Sequence, residues 1–253
     1  MSNSSTQSNQ SALYTLVTVW FFWSFVAASN GILIPLFKDK FELQQWQAQL
    51  VDFAFYAAYF VGSILYFVVS GIIKGDVLNR IGYKNGIIYG LIISAVGTIL
   101  FYPAAELKSF PILLSALFIV GLGFSLQQTA TQPFMIALGD PSTGAQRINL
   151  GGAMNNFGAT IGPVLVSAAI FGAFTENAAA NATIDSVKVP YLILGLLFIA
   201  IAWFFKMSKL PTITNSEEVE IGIGALKYPQ LVLGMLGIFM YVGVEVTIGS
   251  NLG

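Results

Sequence analysis

The stretch from Gly121 to Pro163, GLGFSLQQTATQPFMIALGDPSTGAQRINLGGAMNNFGATIGP, decides how this chain folds, because two long apolar segments meet in it across one short polar turn. Both segments carry uncharged amides. Gln128 and Gln132 stand four residues apart and share a face on a helix; Thr131 flanks them, and Pro133 removes a backbone donor from the next turn. On the following segment Asn149, Gly152, Asn156 and Thr160 recur at helical spacing and give it a polar stripe. Amides in apolar sequence serve as glue between membrane helices or as a binding site, and taken as a cluster these point to a site.

Composition sets the surroundings of that stretch. Of 253 residues, 56% are hydrophobic and 9% charged, where an average soluble domain carries roughly 25% charged. The chain is expected in a lipid bilayer. It has neither Cys nor His, which removes disulfides, thiolate nucleophiles and imidazole as base, proton relay or metal ligand. No metal and no cofactor is expected. A formal charge of -1 offers nucleic acid no basic surface and leaves lipid, a small solute and other helices as partners. An intramembrane enzyme would need paired carboxylates or a nucleophile with its base, and no motif supplies either, so a non-enzyme is expected.

Outward from the centre, the spans fall in order. Residues 1–11 (MSNSSTQSNQS) are too poor in apolar surface to fold and lack the basic start of a signal sequence, so a disordered cytoplasmic tail is expected. Apolar spans of membrane-crossing length follow at about 12–37, 48–73, 85–105, 110–138, 148–174 and 189–207, which make a six-helix bundle over 12–207. A cytoplasmic linker, 208–227, carries the acidic run Glu217, Glu218 and Glu220. It leads to a seventh span, 228–253, read as cut short and as the start of a second bundle. Loops after spans two, four and six hold seven Lys and Arg against four in the others, which places the N-terminus in the cytoplasm of a multi-pass protein of the cell (inner) membrane. Gly86, Gly90 and Gly97 line one side of span three, and Gly151, Gly158 and Gly162 line span five beside Asn155, as seams for close packing.

Two further patterns bear on function. Asn30 precedes Pro35 by five residues as Gln128 precedes Pro133, so spans one and four read as counterparts in two inverted three-helix units with a transporter site between them. Two acids stand in apolar surroundings: Glu245, deep in span seven, and Asp52, near enough to a span end to be either solvated or functional.

The loop Gly75 to Lys84, GDVLNRIGYK, resembles the signature of the major facilitator superfamily at Gly75, Arg80, Gly82 and Lys84. It departs at Asn79, where the family has Asp, and at Tyr83; Asp76 is expected to compensate through an i,i+4 pair with Arg80. NGILIP (30–35), FAFYAAYF (53–60), LFYPAAE (100–106), QQTATQPF (127–134), GDPSTGAQRINL (139–150) and MYVGVEVTIGS (240–250) resemble the fucose-permease and glucose/galactose-transporter branch over nearly the whole chain. The resemblance implies an all-α membrane fold, twelve spans in two six-helix halves, and movement of a hexose or deoxyhexose by alternating access. In the fucose-permease relatives, acids that carry proton coupling stand where this chain has Gly31 and Gln128, and a glutamine and an asparagine that contact sugar fall on Gly152 and Asn155. The expected sugar-binding set is Asn30, Gln128, Gln132, Asn155 and Asn156, with the rings of Trp20, Trp23, Tyr56 and Tyr59 offered to a pyranose. If a proton or sodium travels with the sugar, Glu245 and then Asp52 are the groups to serve it; an uncoupled uniporter and a non-transporting sensor of the same fold stand as alternatives.

Overall fold

Long apolar runs with few charges leave a chain in lipid one way to satisfy its backbone, which is helix. The computed structural model describes residues 2–172, 182–211 and 223–251, and its long elements are helices: α1 (Ser2–Lys40), α3 (Leu50–Ile73), α5 (Tyr83–Glu106), α6 (Phe110–Ala137), α7 (Gly144–Phe171), α8 (Lys188–Met207) and α9 (Pro229–Asn251). Two short helices, α2 (Gln45–Ala48) and α4 (Val77–Ile81), sit in the connections. Among the described residues, seven helices are long and apolar enough to cross a membrane, in the places the hydropathy gave. Pro35, Pro103, Pro133 and Pro163 all lie inside helices; each forfeits a backbone bond, which neighbouring helices tolerate in a membrane bundle. The acidic run Glu217, Glu218 and Glu220, much of the 208–227 linker and the end of the fifth span lie outside the described residues.

The first helix differs from expectation. It begins at Ser2 and runs through the stretch expected as a disordered tail. Once the apolar turns after Ala12 have nucleated a helix, each residue added toward the N-terminus gains a hydrogen bond without a new nucleus.

Helix pairing follows the exchange of the two three-helix units only in part, since span three (α5) packs most extensively on span four (α6) and span six makes no comparable contact with span one. Span one (α1) packs along span five (α7), as span four (α6) packs along span two (α3), while spans three and six (α5 and α8) pack on each other. The span-three glycines close the α5–α6 pair, and the span-five glycines close the α1–α7 pair. A Cβ on Gly90 would lie 2.6 Å from the Gly123 carbonyl and the Gln127 side chain, and one on Gly97 would lie 2.7 Å from Val120. Gly158 and Gly162 lie against the backbone of Phe21 and Phe25, and Gly151 lies under the Trp20 ring.

Basic side chains close the helix ends, where the last carbonyls lack partners. Lys84, at the start of α5, donates to the carbonyls of Lys206 (3.0 Å) and Ser208 (2.7 Å) at the end of α8. Reciprocally, Lys188 at the start of α8 pairs with Glu106 at the end of α5, and with Asp185 at 2.7 Å. Arg147 donates to the carbonyls of Met135, Ile136 and Asp140 and so caps α6.

The signature loop works by the same chemistry, with one correction. Asp76 does not pair with Arg80; its carboxylate accepts the Leu78 amide at 2.8 Å and caps α4, while Arg80 reaches back to the Ile73 carbonyl at 2.8 Å. An N-terminal cap and a C-terminal cap satisfy two backbone groups that an exposed ion pair would leave open. Gly82 takes φ +82°, a conformation that side chains resist, and so joins α4 to α5.

Candidate functional site

Three helices meet on one buried amide that the sequence reading passed over. Trp23 Nε1 donates to Gln127 Oε1 at 3.0 Å, Gln127 Nε2 donates to Ser94 Oγ at 3.0 Å, and the Ser94 hydroxyl donates to the Val120 carbonyl at 3.3 Å. Gln127 is 0% exposed and every partner is buried, so this chain of bonds ties α1, α6 and α5 together in the core. The doubled amide Gln127-Gln128 was the signal available in sequence. Adjacent residues diverge by about 100° on a helix, so only one of the two can point into the same seam.

Gln128 points the other way. It is half-buried, and its Nε2 donates to the Tyr59 hydroxyl of α3 at 3.3 Å. Tyr59 in turn lies in a cluster of rings, 5.5 Å from Phe55 and 6.4 Å from Tyr56. A long, weakly held bond at the edge of the core leaves both groups able to exchange partners for a solute hydroxyl.

The other expected residues spread over the inner and outer surfaces of the bundle. Asn30 is 1% exposed, and neither its amide nitrogen nor its carbonyl oxygen has a partner. Asn155 is half-buried, and Gln132 and Asn156 are exposed. Among the described residues no hydrogen bond joins any two of Asn30, Gln128, Gln132, Asn155 and Asn156. The stripe Asn149, Asn156 and Thr160 is exposed along α7. A Cβ added at Gly31 or at Gly152 would meet nothing within 4 Å, so α1 and α7 each present open space at those positions.

The aromatic expectation divides. Trp20 and Trp23 are buried with ring centroids 5.2 Å apart and present no free face, because Trp23 is held by Gln127 and Trp20 lies on Gly151. Tyr56 is exposed, and Tyr59 is half-buried. The acids show a correction. Glu245 is exposed on α9 rather than buried, since none of the Pro229–Ile248 span is covered by the bundle. Asp52 is half-buried in the first turn of α3.

Seven crossing helices with uncharged amides beside open faces define a polytopic membrane protein. The Major Facilitator Superfamily profile matches residues 15–252, and the chain belongs to that superfamily. It is 40% identical over 245 residues to the glucose/galactose transporter of Brucella abortus, covering 95% of this chain and 57% of the relative. It is 37% identical over 253 residues to a putative glucose/galactose transporter of Helicobacter pylori, covering 97% of this chain and 60% of that one. With the L-fucose-proton symporter of Escherichia coli it shares 29% identity over 259 residues. A crystal structure of the E. coli fucose:proton symporter superposes with a TM-score of 0.72 at 26% identity, covering 94% of this chain and 60% of that one. The chain therefore spans about three fifths of the length of these relatives.

Proposed function

We propose that this chain is the amino-terminal part of a monosaccharide carrier, in which residues 12–207 form the first bundle, 208–227 the cytoplasmic linker and 228–253 the first helix of a second bundle. The carrier lies in the cell (inner) membrane with its N-terminus in the cytoplasm. The site is built from Asn30, Gln128, Gln132, Asn155 and Asn156, and the observation that carries it is Asn30, buried with both polar atoms of its amide unpartnered. Such a group costs about 1–3 kcal/mol unless a ligand or water completes it. An amide donates and accepts, as a sugar hydroxyl does, and needs no charge. The relatives' names, glucose/galactose transporter and L-fucose-proton symporter, support a hexose or deoxyhexose as the solute.

Transport is ion-coupled symport in this reading. Neither Gly31 nor Gln128 titrates, so coupling falls to Glu245 and Asp52, the two acids that stand in apolar sequence. The same two replacements favour a second reading, an uncoupled uniporter. Uptake by the full-length carrier, at fixed sodium across pH and then at fixed pH with choline for sodium, separates the two. Symport requires dependence on one ion that is lost in Glu245→Gln; uptake indifferent to both ions and to the substitution leaves the uniporter.

A further inference from the structure

Asn30 is not the only buried group in this region without a partner. Trp20 is 9% exposed and its Nε1 has none; Thr131 is 0% exposed and its hydroxyl has none. The Trp23–Gln127 bond fixes their relative level, because spans one and four cross the membrane in opposite directions. Trp20 lies three residues back from Trp23, about 4.5 Å along α1, and Thr131 lies four residues on from Gln127, about 6 Å along α6, so both steps lead toward the same membrane face. The turns also keep the side chains in line: three residues back and four residues on rotate by about 60° and 40° from the face on which Trp23 and Gln127 meet. Gly151 leaves the room in which the Trp20 ring lies.

We infer that Trp20 and Thr131 form a second polar station, one turn beyond the Trp23–Gln127–Ser94 tie and about 15 Å along α1 from Asn30, which takes one hydroxyl of the transported solute. The inference rests on the monosaccharide reading above. An indole N–H only donates, whereas a threonine hydroxyl donates or accepts, so together they complete a hydroxyl oxygen and reject a bare cation. The same chemistry would hold a resident water. With Asn30 on one side of the tie and this pair on the other, a sugar leaving the amide site meets a new set of partners instead of bare hydrocarbon.

Single Trp→Phe replacements of this chain's four Trp assign their indole 15N–1H resonances in the full-length carrier in nanodiscs, which are followed while glucose, galactose or fucose is added. The Trp20 signal should shift saturably and those of Trp46 and Trp203 should not. Thr131→Val should abolish the shift and raise the KM for uptake about tenfold, and Thr131→Ser should restore both. An unchanged Trp23 signal in Thr131→Val would report an intact core. Saturable uptake with a silent Trp20 signal would overturn the station, leave a resident water in its place and leave the sugar reading standing. No uptake of any monosaccharide, with Trp20 silent throughout, would overturn both.

Discussion

Gln127 and Gln128 are neighbours with opposite duties, and their substitutions should separate cleanly. Gln127→Leu leaves Trp23 Nε1 and Ser94 Oγ without their buried partner, so it should cost about 1–3 kcal/mol in thermal unfolding of the reconstituted protein. Gln128→Ala removes one 3.3 Å bond at the edge of the core and should leave stability nearly unchanged while weakening sugar affinity in an equilibrium binding assay. Stability loss in both would make the amides of α6 mere helix glue. Gln128 was legible from its spacing to Gln132 and to Pro133. Gln127 was not, because only the rotation of α6 against α1 and α5 decides which of two adjacent amides is enclosed. pH acts on few groups outside the spans: the Ser142 hydroxyl and amide hold the Asp140 carboxyl below its ordinary value of 3.8. A carboxyl lowered on folding contributes stability above its unfolded pKa and loses it as pH falls through the lower folded value, so this turn should be indifferent to pH from 5 to 8. Coupling of uptake to either ion should be lost in Asp52→Asn or Glu245→Gln, and persistence in both would exclude these acids as the coupling pair.

At the scale of helices, two adjacent glycines of α7 make a sharp comparison. Gly151→Ala would place a methyl 2.7 Å from the Trp20 ring, whereas Gly152→Ala would meet nothing within 4 Å. Overpacking of that kind costs about 1–3 kcal/mol, so the first should lower the melting temperature and the second should not; equal effects would mean that α1 and α7 do not pack in this register. Both glycine seams were readable as spacing in the sequence, because a seam is a property of one helix at a time. The reciprocal lysine contacts of Lys84 on α8 and Lys188 on α5 were not, since they join residues more than eighty positions apart. The same limit explains Asp76 and Arg80. Their spacing permitted an ion pair, but the open amide of Leu78 and the open carbonyl of Ile73 were stronger claims on them. The tail before Ala12 failed for a different reason, as composition measures a segment's own capacity to fold and not its extension from a helix already formed.

For the whole molecule, hydropathy was enough to place the seven spans seen among the described residues, because lipid leaves the backbone little choice. For the candidate site, residue types can be named from sequence, but which amides are enclosed and which stay open depends on how the helices are rotated against one another. On the carrier reading the 253-residue chain alone should give no uptake above empty liposomes, since alternating access needs a second bundle to rock against. The measurement that tests the account most directly is counterflow of radiolabelled glucose, galactose and fucose into proteoliposomes of the full-length carrier, beside its Gln128→Ala and Asn30→Ala variants. The account expects saturable exchange of at least one of the three, with KM raised about tenfold in each variant and the protein still folded. Absence of exchange for all three sugars, or exchange untouched by both substitutions, would contradict it.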